Sequence, residues 1–208
     1  MNNGNRGPNI VVIGGSVRPG NFTWKALDLV VSEFQQHPEI NLQVFNPAEM
    51  DLPLPGLGKS NSDTQELQQA VSNATGVVLA TPEYHGSFSS VMKLVIENLG
   101  FPSILKGKPV ALLGVAAGRI GAIKSLEQLR GVCSHVGALV LPGTVSIAGV
   151  QSLFDEQGHC SDGETERLIR SVATSLLDYI HHSICPDIAL EEIIRSGQRD
   201  ETAATIHA

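Results

Sequence analysis

A loop of small and polar residues near the amino end of the chain lies between an apolar run and a helical pattern. Its chemistry comes from Gly15, Ser16, Arg18, Asn21 and Thr23. Glycine lets a ligand approach the backbone, hydroxyl and amide groups donate hydrogen bonds, and a helix amino terminus presents unpaired N–H groups. Arginine can add a bidentate, charge-assisted contact. The loop is therefore predicted to bind an anion, with phosphate as the natural ligand.

The spacing excludes the two best-known glycine-rich nucleotide loops. GxGxxG fails because the glycines are Gly14, Gly15 and Gly20, and GxxxxGK[ST] fails because no lysine follows them. A Gly-Lys-Ser fragment at 58–60 has Pro53 in place of the first glycine and no strand before it. An ordinary turn between strand and helix is the simpler alternative, but such a turn does not need serine, arginine and asparagine together.

Five apolar segments alternate with five helical patterns, which predicts an α/β domain with helices on both faces of a parallel sheet. The strands are predicted at 9–15, 42–45, 76–80, 110–115 and 138–142. A five-stranded parallel sheet commonly has the order 2-1-3-4-5, with ligands bound at the switch point between strands one and three. Loops at 15–23, 82–88 and 114–121 follow strands one, three and four, so they should open on that edge.

Composition and charge limit the possible functions. The formal net charge of −7 argues against binding of nucleic acid or of acidic membranes, and no apolar run approaches the ~20 residues of a membrane span. The polar segment 1–9 lacks the apolar centre of a signal peptide, so a cytoplasmic protein is predicted. Three cysteines suit a reducing compartment without a disulfide framework, and the spacing of cysteine and histidine predicts no metal site.

The helix predicted over 88–99 is apolar around most of its circumference. Val91, Met92, Val95 and Leu99 contribute to this surface, and a helix of this kind is buried on two sides. The sheet can cover one side, and the other would otherwise face water. A homodimer, or a tetramer, is therefore expected through this helix.

With these motifs the chain resembles the NADPH-dependent FMN reductases, a flavodoxin-like family that includes bacterial quinone, chromate and azo-dye reductases. The family's Gly-Ser-x-Arg loop stands at 15–23, its Pro-Glu-Tyr-Asn-Gly-Ser motif reads PEYHGS at 82–87, and a looser glycine-rich loop lies at 114–121. The likeness covers about 9–182 and implies a three-layer sandwich. Residues 1–8 would be a flexible lead, and 183–208 an extension with a short helix and tail.

The resemblance implies one FMN, with its ribityl phosphate on the first loop and its ring against the other two. The implied cofactor-binding residues are Ser16, Arg18, Asn21, Phe22, Thr23, Pro82, Glu83, Tyr84, His85 and Gly118. Asn21 stands where the family has serine, and its amide is expected to donate in the same way. Glu83 and Tyr84 could equally be turn residues that pack or face solvent. No catalytic acid or base is required because the flavin carries the chemistry, although His85 and Tyr84 would lie near the ring.

The activity implied is hydride transfer from NADPH, or NADH, to the flavin, followed by reduction of a small acceptor. A quinone, an azo dye, a metal oxyanion or free flavin would fit that role. Two alternatives stay open: a flavodoxin-like electron carrier without its own NAD(P)H oxidation, and a nucleotide sensor. A flavodoxin would have a loop rich in serine and threonine without arginine. Arg119 is a candidate for the 2′-phosphate of NADPH, or simply a surface residue.

Overall fold

A computed structural model of the protein describes residues 7–57 and 61–184. The chain divides into two compact units, Met1–Leu176 and Leu177–Ala208. The first unit contains the whole sheet. The described part of the second contains the end of the last α-helix and a π-helical turn, Ile180–Ile184. The predicted lead at 1–8 and extension at 183–208 lie almost entirely outside the described residues.

The sheet has seven strands, where five are predicted. They are β1 (Asn9–Gly14), β2 (Asn41–Phe45), β3 (Gly76–Tyr84), β4 (Ser87–Phe88), β5 (Pro109–Val115), β6 (Leu139–Val140) and β7 (Val145–Ile147). The order β2-β1-β3-β5-β6 is parallel throughout, which is the predicted order of the five main segments. The two additional strands pair at the site edge, β4 antiparallel to β3 and β7 parallel to β5.

The predicted count of five is wrong for two local reasons. Strand β3 runs four residues beyond its predicted end at Ala80 and folds back to form β4. The predicted last strand, 138–142, shortens to β6 and ends before Pro142, which has no backbone N–H to offer to the sheet. Strand β7 lies beyond the predicted strand and pairs with β5 at Leu113, whereas β6 pairs at Val110.

Five α-helices connect the strands of the described chain. They are α1 (Phe22–Phe34), α2 (Ser62–Asn73), α3 (Ser90–Asn98), α4 (Ile123–His135) and α5 (Gly163–Tyr179). Helices α1, α2 and α3 each begin with a side-chain cap. The cap residues are Asn21, Asn61 and Ser89, and each accepts a hydrogen bond from the backbone N–H of the residue three positions later. Helix α4 follows Ala122, which supplies no side-chain cap.

The core explains why the central strands are apolar on both faces. Ile10 to Ile13 are fully buried, as is every residue of β5 to within a few per cent. One core cluster joins alternate residues of β1, β3 and β5 to the inner sides of α2, α3 and α4. Helix α1 contacts the same strands. The predicted three-layer α/β architecture is confirmed.

Helix α3 is buried more completely than its sequence indicates. Met92, Val95 and Leu99 are fully buried within the single chain, while Val91 and Leu94 are half-buried. The expectation that much of this apolar surface would face water without a partner is therefore wrong, because these side chains belong to the core cluster that also contains residues of α2, α4 and the sheet. No helix of the described chain combines the length and apolar character that crossing a membrane requires.

Candidate functional site

The carboxyl ends of β1, β3 and β5 meet at an open cleft of about 460 Å³. Its lining includes seven of the ten implied cofactor-binding residues: Arg18, Asn21, Phe22, Thr23, Pro82, Glu83 and Tyr84. Ser16 lines a neighbouring cavity that shares Arg18 with the cleft, whereas His85 and Gly118 line neither. Val115, Ala116 and Ala117 in the lining belong to the predicted third loop at 114–121, whereas sequence reasoning missed Val150 and Gln151. The parallel register of β7 beside β5 brings the last two there, and that pairing has no local signal.

The loop after β1 turns its carbonyl groups toward protein donors. The Gly15 carbonyl accepts from Ser89 Oγ at 2.5 Å, the Ser16 carbonyl from Trp24 Nε1 at 3.0 Å, and the Arg18 carbonyl from Asn21 Nδ2 at 2.6 Å. The backbone N–H groups of residues 16–18 have no acceptor within the described residues. A set of free N–H groups ahead of a helix amino terminus forms an anion-binding surface.

The side chain of Asn21 is already engaged at both ends. Its Oδ1 accepts from the Trp24 N–H at 3.0 Å, and its Nδ2 donates to the Arg18 carbonyl. The Nδ2 amide carries a second N–H, so donation by Asn21 to an anion stays a prediction. In the loop itself, Asn21 holds the Arg18 carbonyl and caps α1.

Arg18 and Tyr84 link the loop to the end of β3. The Arg18 guanidinium lies 4.3 Å from the centre of the Tyr84 ring, and the Tyr84 hydroxyl lies 3.4 Å from Ser16 Oγ. Stacking of this kind is typical of arginine because its guanidinium is planar and weakly hydrated. The arrangement places a permanent positive charge at the mouth of the cleft, beside the free N–H groups.

The predicted polar loop after β3 is a β-hairpin. His85 and Gly86 connect the strands with φ of 52° and 73°, and Tyr84 pairs with Ser87. Two residues with positive φ make a type I′ turn, for which asparagine followed by glycine is the usual sequence. Histidine also tolerates this region better than most residues. His85 is exposed at the tip and does not line the cleft.

Three side-chain hydrogen bonds attach this hairpin to α4. Glu83 Oε2 accepts from the Ser125 N–H at 3.1 Å, Ser87 Oγ donates to Gln128 Oε1 at 2.7 Å, and Gln128 Nε2 donates to the Gly86 carbonyl at 3.0 Å. Glu83 thus serves as the amino-terminal cap that α4 otherwise lacks, and it still lines the cleft. A structural role and proximity to the ligand are combined in one residue.

The third loop is held by the end of β7 and the residues that follow it. Ala116 N–H donates to the Ile147 carbonyl at 2.9 Å, and Gly149 N–H donates to the Gly118 carbonyl at 3.1 Å. Ala116 lines the cleft, whereas Gly118 is exposed beside it. The small apolar surface here suits a flat aromatic group better than an anion.

The cleft and the neighbouring cavity share Arg18 but differ in their other charged residues. The neighbouring cavity also contains Lys25 and Asp28, and partial burial raises the pKa of the Asp28 carboxyl. No cluster of three or more histidine, cysteine or carboxylate groups suitable for a metal occurs in the part of the chain that the structure describes. The cleft itself contains one arginine, Arg18, and one carboxylate, Glu83, beside its hydrogen-bond donors and apolar residues.

Comparison with known proteins agrees with this geometry. A family model described as NADPH-dependent FMN reductase matches residues 8–152. An NADPH azoreductase of Bacillus sp. (strain OY1-2) is 30% identical over 178 residues, which cover 82% of this chain and 92% of that protein.

Two solved structures have the same fold. FerB, a flavoenzyme NAD(P)H:(acceptor) oxidoreductase from Paracoccus denitrificans, has a TM-score of 0.69 at 20% identity, over 84% of this chain and 97% of its own. A flavodoxin, WrbA-like protein from Agrobacterium tumefaciens has a TM-score of 0.59 at 17% identity, over 85% and 99%. At these identities the two structures establish the flavodoxin-like fold alone.

Proposed function

The chain belongs to the NADPH-dependent FMN reductase family, and we propose that the cleft at the ends of β1, β3 and β5 is its FMN site. When bound there, FMN would supply the redox chemistry, namely hydride acceptance from NADPH and electron transfer to an acceptor. The observation that carries the assignment is the loop at 15–23, where free N–H groups, a helix amino terminus and Arg18 converge beside an apolar cleft.

The residues of the chain fit the two chemically different parts of this cofactor. The backbone N–H groups of residues 16–18 and the first turn of α1 would hold the phosphate, with Arg18 supplying charge. Pro82, Tyr84 and Ala116 would lie against the ring, in a cleft whose volume of about 460 Å³ falls in the usual range for ligand sites. The protein thus contributes binding, orientation and shielding from water.

A small, flat aromatic acceptor is the proposed second substrate. The chain's similarity to an NADPH azoreductase supports an azo compound, and a quinone presents the same flat, electron-poor surface. The cleft is open to solvent, and its lining includes the small apolar residues Val115, Ala116 and Ala117. These features favour acceptors that stack over those that need a charged pocket.

We also propose a cytoplasmic homodimer. An apolar groove of about 830 Å³ lies between α3 and α4, lined in part by Phe88, Ile96 and Val132, and Phe101 stands fully exposed beside it. Contiguous apolar surface of this kind is unusual on a monomer, and a two-fold contact would bury it. Free cysteines at Cys133 and Cys160 suit a reducing compartment.

Binding of FMN and of riboflavin tests the cofactor site, because riboflavin lacks only the phosphate. We expect about one FMN per chain and a clear preference for FMN. Arg18→Ala should weaken FMN binding by roughly 1.5 kcal/mol, the lower end of the range for hydrogen bonds to charged groups, and leave riboflavin binding unchanged. Anaerobic addition of NADPH should bleach the flavin absorbance. Equal affinity for the two flavins would remove the phosphate assignment, and a flavin that NADPH never bleaches would point to an electron carrier or sensor.

Sedimentation at micromolar concentration tests the dimer. Phe101→Glu, which places a charge in the groove, should shift the wild-type dimer toward monomer. Leu168→Glu is a matched control, since Leu168 is an exposed leucine on α5, away from the groove. A wild-type monomer that oxidises NADPH fully would contradict the proposed interface.

A further inference from the structure

We propose that Trp24 is a positioning residue for the phosphate loop, which its indole N–H holds in the anion-binding conformation before the anion arrives. This inference rests on the proposed function of the loop. Trp24 lies in the first turn of α1, three residues after the cap Asn21. Its Nε1 donates to the Ser16 carbonyl at 3.0 Å, although tryptophan itself offers nothing that a phosphate would need.

The position of the indole depends on the absence of a side chain at Gly14, the last residue of β1. A Cβ atom added to Gly14 would lie 2.4 Å from Trp24 Cζ2, which is far inside van der Waals contact. Gly14 is therefore the residue that lets the ring lie against the strand and reach the next turn. The apolar body of the ring is packed there, and its single polar atom is aimed at the loop.

Peptide geometry converts this contact into an orientation of the next N–H group. A trans peptide places the carbonyl of one residue and the N–H of the following residue on opposite sides of the bond. With the Ser16 carbonyl fixed toward Trp24, the Val17 N–H must point away from the indole, and it has no acceptor within the described residues. Rotation of this peptide would instead turn a carbonyl oxygen toward the anion, where its negative end would repel the ligand.

Among the three donors that hold carbonyls in this loop, Trp24 is the one whose donor group has no second role. Ser89 Oγ also caps α3, where it accepts from the Met92 N–H, and the Asn21 side chain also caps α1. Removing either would damage a helix as well as the loop. Removing the indole N–H leaves both caps in place, so a resulting change in FMN affinity would come from the orientation of the loop.

The expected consequence is a loss of FMN affinity that riboflavin does not share. Without the indole donor, the peptide between Ser16 and Val17 must be ordered during binding, and affinity falls by the cost of that ordering. A neutral hydrogen bond corresponds to about three- to tenfold in a dissociation constant. Riboflavin has no phosphate, so its dissociation constant should not change.

The experiment uses the fact that the chain has one tryptophan. Expression with benzothienylalanine replaces the indole N–H by sulfur and preserves the two-ring shape. Expression with 5-fluorotryptophan keeps the N–H and is the matched control. For both full-length proteins, the dissociation constants for FMN and riboflavin are measured by quenching of flavin fluorescence, together with the thermal midpoint. The genetically simpler Trp24→Phe serves as a second test of the same contact.

Three- to tenfold weaker binding of FMN alone in the benzothienylalanine protein would support the inference. Unchanged FMN affinity, or equal losses for FMN and riboflavin, would overturn it, because the indole N–H would then be neutral or only structural. If the fluorotryptophan control itself does not prefer FMN, the phosphate assignment fails and the inference fails with it. If the fluorotryptophan protein prefers FMN and the benzothienylalanine protein binds both flavins identically to it, Trp24 has no positioning role, while the assignment of the cofactor site is unaffected.

Discussion

Removal of the Glu83 carboxylate should destabilise the chain because α4 then loses a cap. The capped N–H belongs to Ser125, 42 residues away in sequence. The cap residue of α4, Ala122, makes no side-chain hydrogen bond, and Glu83 Oε2 accepts from the Ser125 N–H in its place. Loss of such a cap costs about 0.5–2 kcal/mol. The carboxylate also faces the positive end of the helix dipole, which accounts for roughly 0.3–1 kcal/mol of that total.

Two substitutions separate the hydrogen bond from the charge. Glu83→Ala should lower the free energy of unfolding by about 1 kcal/mol and Tm by about 2–4 °C, as expected for a chain of this size. Glu83→Gln keeps an acceptor oxygen, so it should lose only the dipole contribution, roughly 0.5 kcal/mol. Glu127→Ala is the control, because Glu127 is an exposed glutamate on the same helix, and a surface change there should stay within about 0.5 kcal/mol.

Urea unfolding followed by circular dichroism measures all three variants, and an unchanged slope confirms that stability alone has changed. The same bond holds the hairpin that lines the cleft, so Glu83→Ala should weaken FMN and riboflavin by the same factor. That signature differs from the FMN-specific loss expected for Arg18→Ala. A Glu83→Ala chain as stable as wild type, or one that loses FMN affinity alone, would refute the role of Glu83 as a cap.

Two further predictions concern titratable groups. Burial raises the pKa of the Cys133 thiol from 9.0 to about 12, which lowers its thiolate fraction at pH 8 about a thousandfold. Peptide mapping should find Cys160 alkylated in the native chain and Cys133 only after unfolding; equal rates would contradict this. Hydrogen bonds from Thr165 lower the pKa of the Asp162 carboxyl, so the stability it contributes is present above pH 3.8 and lost as pH falls through the lower folded value. Asp162→Asn should therefore flatten the acid limb of the stability curve, and an unaltered limb would argue against a stabilising role of these hydrogen bonds.

The second strand of the hairpin, β4, was not predicted from the sequence. Residues 81–89 contain proline, glycine and several polar residues, which indicate a loop by local preference. The asparagine-glycine signal for a two-residue turn is absent because His85 occupies the first position. Only the pairing of Tyr84 with Ser87, and the bonds to α4, make this segment a strand.

The phosphate loop shows the same limit at atomic scale. Its residue types predict donors for an anion, and the free N–H groups of residues 16–18 agree with that prediction. The residue types do not reveal that the Asn21 side chain also holds the Arg18 carbonyl and caps α1 at Trp24. Those two contacts depend on the orientation of the side chain in the folded loop, which a sequence pattern does not contain.

Two properties of this protein are determined by the sequence alone. Apolar runs alternating with amphipathic helices require a parallel sheet covered on both faces, because each element must bury its own apolar side and right-handed crossovers leave few topologies. The residue types after strands one and three then place hydrogen-bond donors and an arginine at one edge. Tertiary structure alone decided that Glu83 caps a distant helix, that Trp24 orients the Ser16 carbonyl, and that Val150 completes the cleft. These contacts join residues distant in sequence or depend on exact orientation, and their free energy exists only once the sheet has brought the partners together.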